Sequence, residues 1–160
     1  MSPRAAWRLE SLGYDAYDYV AGKADWLAFD LPYEGYAKLA GPVASREVPT
    51  CSFRDRLGDV RQLLETSRFG MLVALNGRGV VMGRLDHDAL DEPDDASVEQ
   101  LMREGPTTIR PSEQLEPLLE RMRSRDVDAV LVTRSDGILL GILERVTAEE
   151  ALDEPDHAHR

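Results

Sequence analysis

Cysteine, basic charge and long apolar runs are all scarce in this 160-residue chain. Its one thiol, Cys51, makes no internal disulfide and builds no cysteine-rich zinc site. Nowhere do the roughly 18–20 apolar residues of a membrane-spanning helix follow one another. The 19 Lys and Arg stand against 30 Asp and Glu, a formal charge of −11. That sign opposes the phosphate backbone, so no nucleic-acid partner is expected. No apolar stretch follows Arg4 as it would in a secretory signal, which predicts a cytoplasmic protein. No Ser/His/Asp ordering, phosphate-cradling glycine loop or metalloprotease helix is present, so no catalytic set is expected. His87-Asp88 and Asp156-His157-Ala158-His159 are the weak metal candidates, and no metal site is expected from them.

What the chain does have is a repeat. Shifted by 58 residues against itself, it aligns without a gap. Leu57, Val60 and Leu64 fall on Leu115, Leu118 and Met122, while Leu72, Gly79, Gly83 and Leu85 fall on Val130, Gly137, Gly141 and Leu143. In the second copy, Pro106–Ile109 is a short extended piece, and Ser112 is a plausible N-cap for a helix with Leu115, Leu118, Leu119 and Met122 on one stripe. Ala129–Val132 reads as a buried strand, Ser135-Asp136-Gly137 as a turn, and Ile138–Leu143 as the return strand. A helix from about Thr147 to Leu152 closes the unit. The first copy predicts a helix over 55–66, strands at Met71–Leu75 and Val80–Leu85, and a turn at Asn76-Gly77 with Gly79. The fold class is α/β (α+β): two βαββα repeats packed about a pseudo-twofold axis, since one such unit buries too little surface alone.

The remaining segments divide the chain at 1–45, 46–92, 93–152 and 153–160. Acidic residues 86–97 with Pro93 read as a solvated connector, and Val98, Leu101 and Met102 as a helical turn entering the second copy. Residues 153–160 read as a frayed tail. In the first segment, Pro3–Leu12 is helical in pattern with Gly13 as its stop, Ala16–Val20 alternates like a strand, and Ala24–Phe29 forms a short helix. Trp7, Tyr14, Tyr17, Tyr19, Trp26, Phe29, Tyr33 and Tyr36 crowd this segment. That much aromatic surface needs a partner, which predicts a homodimer.

With these residues in place, 46–152 resembles a pair of cystathionine-β-synthase (CBS) domains, a Bateman module. The most specific stretches are Pro106–Pro111 and Val130–Leu143. Residues 1–35 resemble the end of a rhodanese-like domain, through Ser2–Ala6, Leu9, Gly13-Tyr14, Tyr19–Trp26 and Leu31-Pro32. The rhodanese cysteine would lie ahead of Ser2, which leaves a fragment without a catalytic loop. The CBS resemblance implies a regulatory module that holds AMP, ATP or S-adenosylmethionine in a cleft between the copies, and whose regulated partner protein the sequence does not name. It places such a ligand against Thr108, Val127, Ala129, Gly141, Arg145 and Thr147. In that family a Thr or Ser three residues after the strand's glycine meets phosphate, and an Asp three further on holds the ribose. Here those positions are Asp86 and Ala89 after Gly83, and Glu144 and Thr147 after Gly141.

Carboxylates at Asp86 and Glu144 would repel an anionic ligand by about 1–4 kcal/mol, so a neutral or cationic adenosyl compound suits the charge better than ATP. Asp88, one residue off, could stand in for the ribose acid, and Arg145 could meet a phosphate. Plain solvated acids at a helix start, which favour the helix dipole, are the simpler account of Asp86 and Glu144. Two other readings stay open: a ligand-free dimerisation scaffold, and a sulfurtransferase whose true start lies upstream. Cys51 reads as a small packed apolar residue rather than a nucleophile.

Overall fold

The computed structural model describes residues 8–16, 22–29 and 37–154. The strand at Ala16–Val20 and the tail histidines fall largely outside these. The first helical stretch ends at Gly13, where φ is +86°, followed by α1 (Gly22–Ala28) and the short α2 (Ala40–Val43). The first repeat contains β1 (Thr50–Ser52), α3 (Leu57–Glu65), β2 (Met71–Leu75) and β3 (Val81–Asp86). A 3-10 turn (His87–Asp91), α4 (Val98–Leu101) and β4 (Arg103–Glu104) lead to β5 (Thr108–Ile109), α5 (Leu115–Ser124), β6 (Ala129–Thr133), β7 (Leu139–Glu144) and α6 (Arg145–Asp153). One mixed sheet has the order β1-β2-β3-β4, the other β5-β6-β7.

The unbroken apolar runs of β2 and β6 follow from burial on both faces. Leu72 and Ala74 turn to the helix side with Leu57, Val60, Leu64 and Leu85. Val130 and Val132 do the same with Leu115, Leu118 and Met122. The intervening residues Met71, Val73 and Leu131 meet Ile142 between the two sheets. Leu57, Leu64, Leu72, Leu85, Leu115 and Leu143 are fully buried, each contributing about 1.5–3 kcal/mol.

A pseudo-twofold axis relates the halves at the repeat's own offset. The hairpin tips meet on it: Val81 N donates to Gly137 O at 3.1 Å, and Leu139 N to Gly79 O at 3.0 Å. A Cβ on Gly137, where φ is +85°, would stand 3.2 Å from Val80 Cγ1, so this contact depends on glycine.

The repeat also begins earlier than its sequence signal, and the halves exchange their leading segments. Leu115 N donates to Lys38 O at 2.9 Å, as Leu57 N does to Ala96 O at 2.9 Å. Ala40 N donates to Glu113 O at 2.9 Å, and its equivalent Val98 N to Asp55 O at 3.0 Å. Ser45 pairs with Ile142 in both directions at 2.9 Å, as Arg103 pairs with Arg84 in the first sheet. Ala40, Val43 and Ala44 therefore pack into the second core, and Val98, Leu101 and Met102 into the first. This corrects one expectation: residues 39–45 are the leading segment of the first repeat and not part of the N-terminal unit. Residues 98–102 open the second repeat as expected, but they pack on the first body. The 86–97 connector is likewise not wholly solvated, because Ala89 and Leu90 pack on the first core. Nor does Ser112 cap α5: that helix starts at Leu115, with Gln114 at its N-cap.

Candidate functional site

Between the sheets, where the 103–107 crossover passes from one body to the other, lies a cleft of about 370 Å³. Met71, Val127, Ala129 and Leu131 supply its apolar surface, and Arg84 and Arg103 its cationic end. Strand alternation puts Arg84 here, because its neighbours Gly83 and Leu85 are buried on the opposite, helix-facing side. A second cleft of about 390 Å³ adjoins it across Gly105 and Pro106, lined by Thr108, Arg110, Ser135 and Asp136. Arg110 Nη1 donates to Arg134 O at 2.6 Å and to the Thr133 hydroxyl, which fixes the guanidinium at that rim.

The acids at the phosphate-facing positions are not bare. Asp86 lies 3.1 Å from the Nε atoms of both Arg84 and Arg103, and Asp88 2.6 Å from Arg103 Nη2. The hydrogen bond to Asp88, with the fields of Asp88 and Asp86, raises the Arg103 pKa further above its usual value. Glu144 is met by Arg68 at 3.4 Å. The repulsion expected from Asp86 and Glu144 is thus offset locally, although such exposed pairs add little stability.

The residues named from sequence separate. Val127 and Ala129 line the first cleft and Thr108 the second. Gly141 faces the exchanged segment, where a Cβ would stand 2.5 Å from Ser45 O. Arg145 reaches Asp128 at 2.6 Å and Asp126 at 3.7 Å. With its N–H on Asp128 O at 2.7 Å, it pins the loop that carries Val127. Thr147 is half-buried on α6 and lines neither cleft. Ala89 is buried in the first core. Sequence reasoning missed Arg84, Arg103 and Arg110. The signal that would have found the first two was their break from the repeat, since Arg84 and Arg103 stand opposite Ile142 and Ser45.

Cys51 packs in the first core at 8% exposure. Burial, and secondarily the charge of Asp55, pushes its pKa up from 9.0 to about 12. So high a pKa cuts the thiolate population near pH 8 by about a thousandfold. Alkylation by iodoacetamide at pH 8 is therefore expected to be about 1000-fold slower in the native protein than in urea-unfolded chain; comparable rates would refute this burial. By the same linkage, the thiol's contribution to stability is full below pH 9 and lost as pH rises toward 12.

Among the described residues no group of three or more His, Cys, Asp or Glu is placed to hold a metal. No described helix is long and apolar enough to cross a membrane. Of the aromatic residues near the N-terminus, Tyr14 is 64% and Phe29 57% exposed; Trp7, Tyr17, Tyr19, Tyr33 and Tyr36 lie outside the described residues.

A family model for the CBS domain matches residues 98–153. No curated protein matches the chain. The CBS domains of a transcriptional regulator from Streptococcus pneumoniae share 25% identity, with a TM-score of 0.59 over 67% of this chain and 91% of that one. CBSX2 solved in complex with AMP shares 20%, with a TM-score of 0.62 over 74% and 96%. An uncharacterized conserved protein from Pyrococcus horikoshii shares 18%, with a TM-score of 0.61 over 79% and 100%. The rhodanese-like reading of residues 1–45 finds no support in these likenesses.

Proposed function

We propose that this chain, which has the fold of a CBS-domain pair, is a non-catalytic sensor that takes an adenosyl compound into the cleft between its sheets. The observation that carries this reading is the composition of the 370 Å³ cleft: an apolar wall of Val127 and Ala129 facing Met71, with Arg84 and Arg103 at one end. Apolar walls with a few convergent polar groups are the usual make-up of a small-molecule site. The apolar wall suits a purine base and the guanidinium end suits a single phosphate or a carboxylate. Asp86, Asp88 and Glu104 stand close to that end and disfavour a triphosphate, so AMP or S-adenosylmethionine is the better ligand and ATP the worse. Thr108 and Arg110 supply a polar rim next door, Arg145 holds the Val127 loop, and Gly141 and Thr147 support the second body behind it. CBSX2, of the same fold, was solved with AMP.

The sensor works by shifting the relative placement of the two bodies, which requires a ligand that prefers one arrangement. Exposed Leu63 on α3 and Val146 on α6, with Tyr14 and Phe29, supply apolar surface for a homodimer through which the shift is read.

A thermal-shift titration tests the reading. AMP or S-adenosylmethionine at about a hundred times its Kd should stabilise the fold by about 2.7 kcal/mol, a rise of roughly 5–10 °C in Tm, with ATP giving less. Light scattering on the same sample should report a dimer. No shift with any of the three compounds would leave the ligand-free scaffold, and a monomer would remove the dimer.

A further inference from the structure

Every residue around the 370 Å³ cleft has a counterpart 58 positions away, so the pseudo-twofold axis implies a twin cleft. Met71 and Ala129 exchange places under the axis and are common to both. The others differ: opposite Val127 stands Phe69, opposite Pro106 Val48, opposite Arg84 Ile142, and opposite Arg103 Ser45. Resting on the adenosyl-sensor reading above, we propose that Phe69 plugs this twin, so that each chain takes one ligand and not two.

The packing carries the proposal. Val127 leaves the open cleft free because it leans toward the helix-side core of Leu118 and Met122, its N–H held by Met122 O at 2.9 Å. Phe69 leans the other way, with Val48, onto Met71, Val73, Leu131 and Ile142 between the sheets. Behind it Ile142 is fully buried, where its equivalent Arg84 lines the open cleft. Arg68 lies over the ring. Its guanidinium lies 4.5 Å from the centre of the Phe69 ring, while Nη2 reaches Glu144, the twin of Asp86, at 3.4 Å. The ring therefore fills the base position, and the Arg68 charge is spent on the acid and on the ring face. A duplicated fold with two equivalent sites has become asymmetric, by side-chain volume at Phe69 against Val127 and by charge at Ile142 and Ser45 against Arg84 and Arg103.

Two measurements on the full chain test this. Calorimetric titration with AMP should give one site per chain in the wild type. Val127→Phe, which puts the same plug into the open cleft, should weaken binding at least about tenfold, whereas Phe69→Ala should add a second event at least about tenfold weaker than the first, because Ile142 and Ser45 leave the twin without a guanidinium end. The second measurement needs no ligand: labelling by a charged maleimide of a cysteine in the equivalent walls, Pro106→Cys and Val48→Cys, with buried Cys51 as a slow background. The cysteine at 48 should label about tenfold more slowly than the one at 106, and adding Phe69→Ala should remove most of that gap. Two AMP sites in the wild type, equal labelling at the two positions, or a gap unmoved by Phe69→Ala would overturn the plug. Failure of AMP to bind any variant would instead refute the sensor reading, and the labelling rates would still decide the plug.

Discussion

Gly141→Val is expected to lower the free energy of unfolding by about 3 kcal/mol and Tm by about 6–12 °C. A Cβ at this position would stand 2.5 Å from Ser45 O, 3.3 Å from Ser45 C and 3.4 Å from Ala44 Cβ. Two of these three obstacles are backbone, and that backbone is held in place by the reciprocal Ser45–Ile142 hydrogen bonds. The strain can be relieved only by lifting the 39–45 segment off the second sheet, which also uncovers the buried Ala40 and Leu39. Gly83, the equivalent position, is more forgiving, because two of its three near atoms belong to the flexible Met102 side chain. Gly77→Ala supplies the control, since nothing lies within 4 Å of a Cβ there; it is expected within about 0.5 kcal/mol of wild type. Urea midpoints of the two variants check the order. A Gly141→Val protein as stable as Gly77→Ala would mean that Ser45 does not lie on β7.

The second large effect is Ala40→Asp, expected to cost about 4 kcal/mol. Ala40 is 0% exposed and sits among Leu115, Leu118 and Leu143 of the second core. A carboxylate there would be desolvated against aliphatic side chains that offer it neither a charge nor a hydrogen bond. The size of the loss is a large fraction of the roughly 5–15 kcal/mol typical of a whole domain. Its location is the informative part. Ala40 belongs to the leading segment of the first repeat, yet the damage should fall on the second body. The same expectation holds in mirror image for Val98, also 0% exposed, which belongs to the first core.

The strands and helices of both repeats were legible because burial on two faces leaves unbroken runs such as Met71–Leu75 and Ala129–Thr133. The paired glycines at the hairpin tips were legible for a related reason, since the axis brings Gly79 and Gly137 together. The exchange was not legible. Periodicity states that a segment has an apolar side but not which body covers it, and Ala40–Val43 is only one helical turn long. Its position before the repeat, beside an aromatic stretch, drew it into the rhodanese-like reading instead.

The candidate site was half legible. Val127 and Ala129 follow from the resemblance, which the second copy carries most specifically. Arg84 and Arg103 depart from the repeat, so a search for matches between the copies passes over them, and only a search for mismatches finds them. The Asp86 and Glu144 carboxylates were judged by sequence neighbours alone, whereas Arg103 and Arg68 reach them from other strands and loops. Phe69 carries no signal of its own until it is compared with Val127 across the axis.

At the centre of this fold are two copies that complete each other by trading their leading segments. Hydrogen exchange at single-amide resolution, comparing Ala40→Asp with wild type, measures this directly. Protection should fall first and furthest at Leu115, Val130, Val132 and Ile142, while Leu57, Leu72 and Leu85 retain theirs until global unfolding. Loss confined to residues 57–86, or no difference between the two bodies, would contradict the exchange.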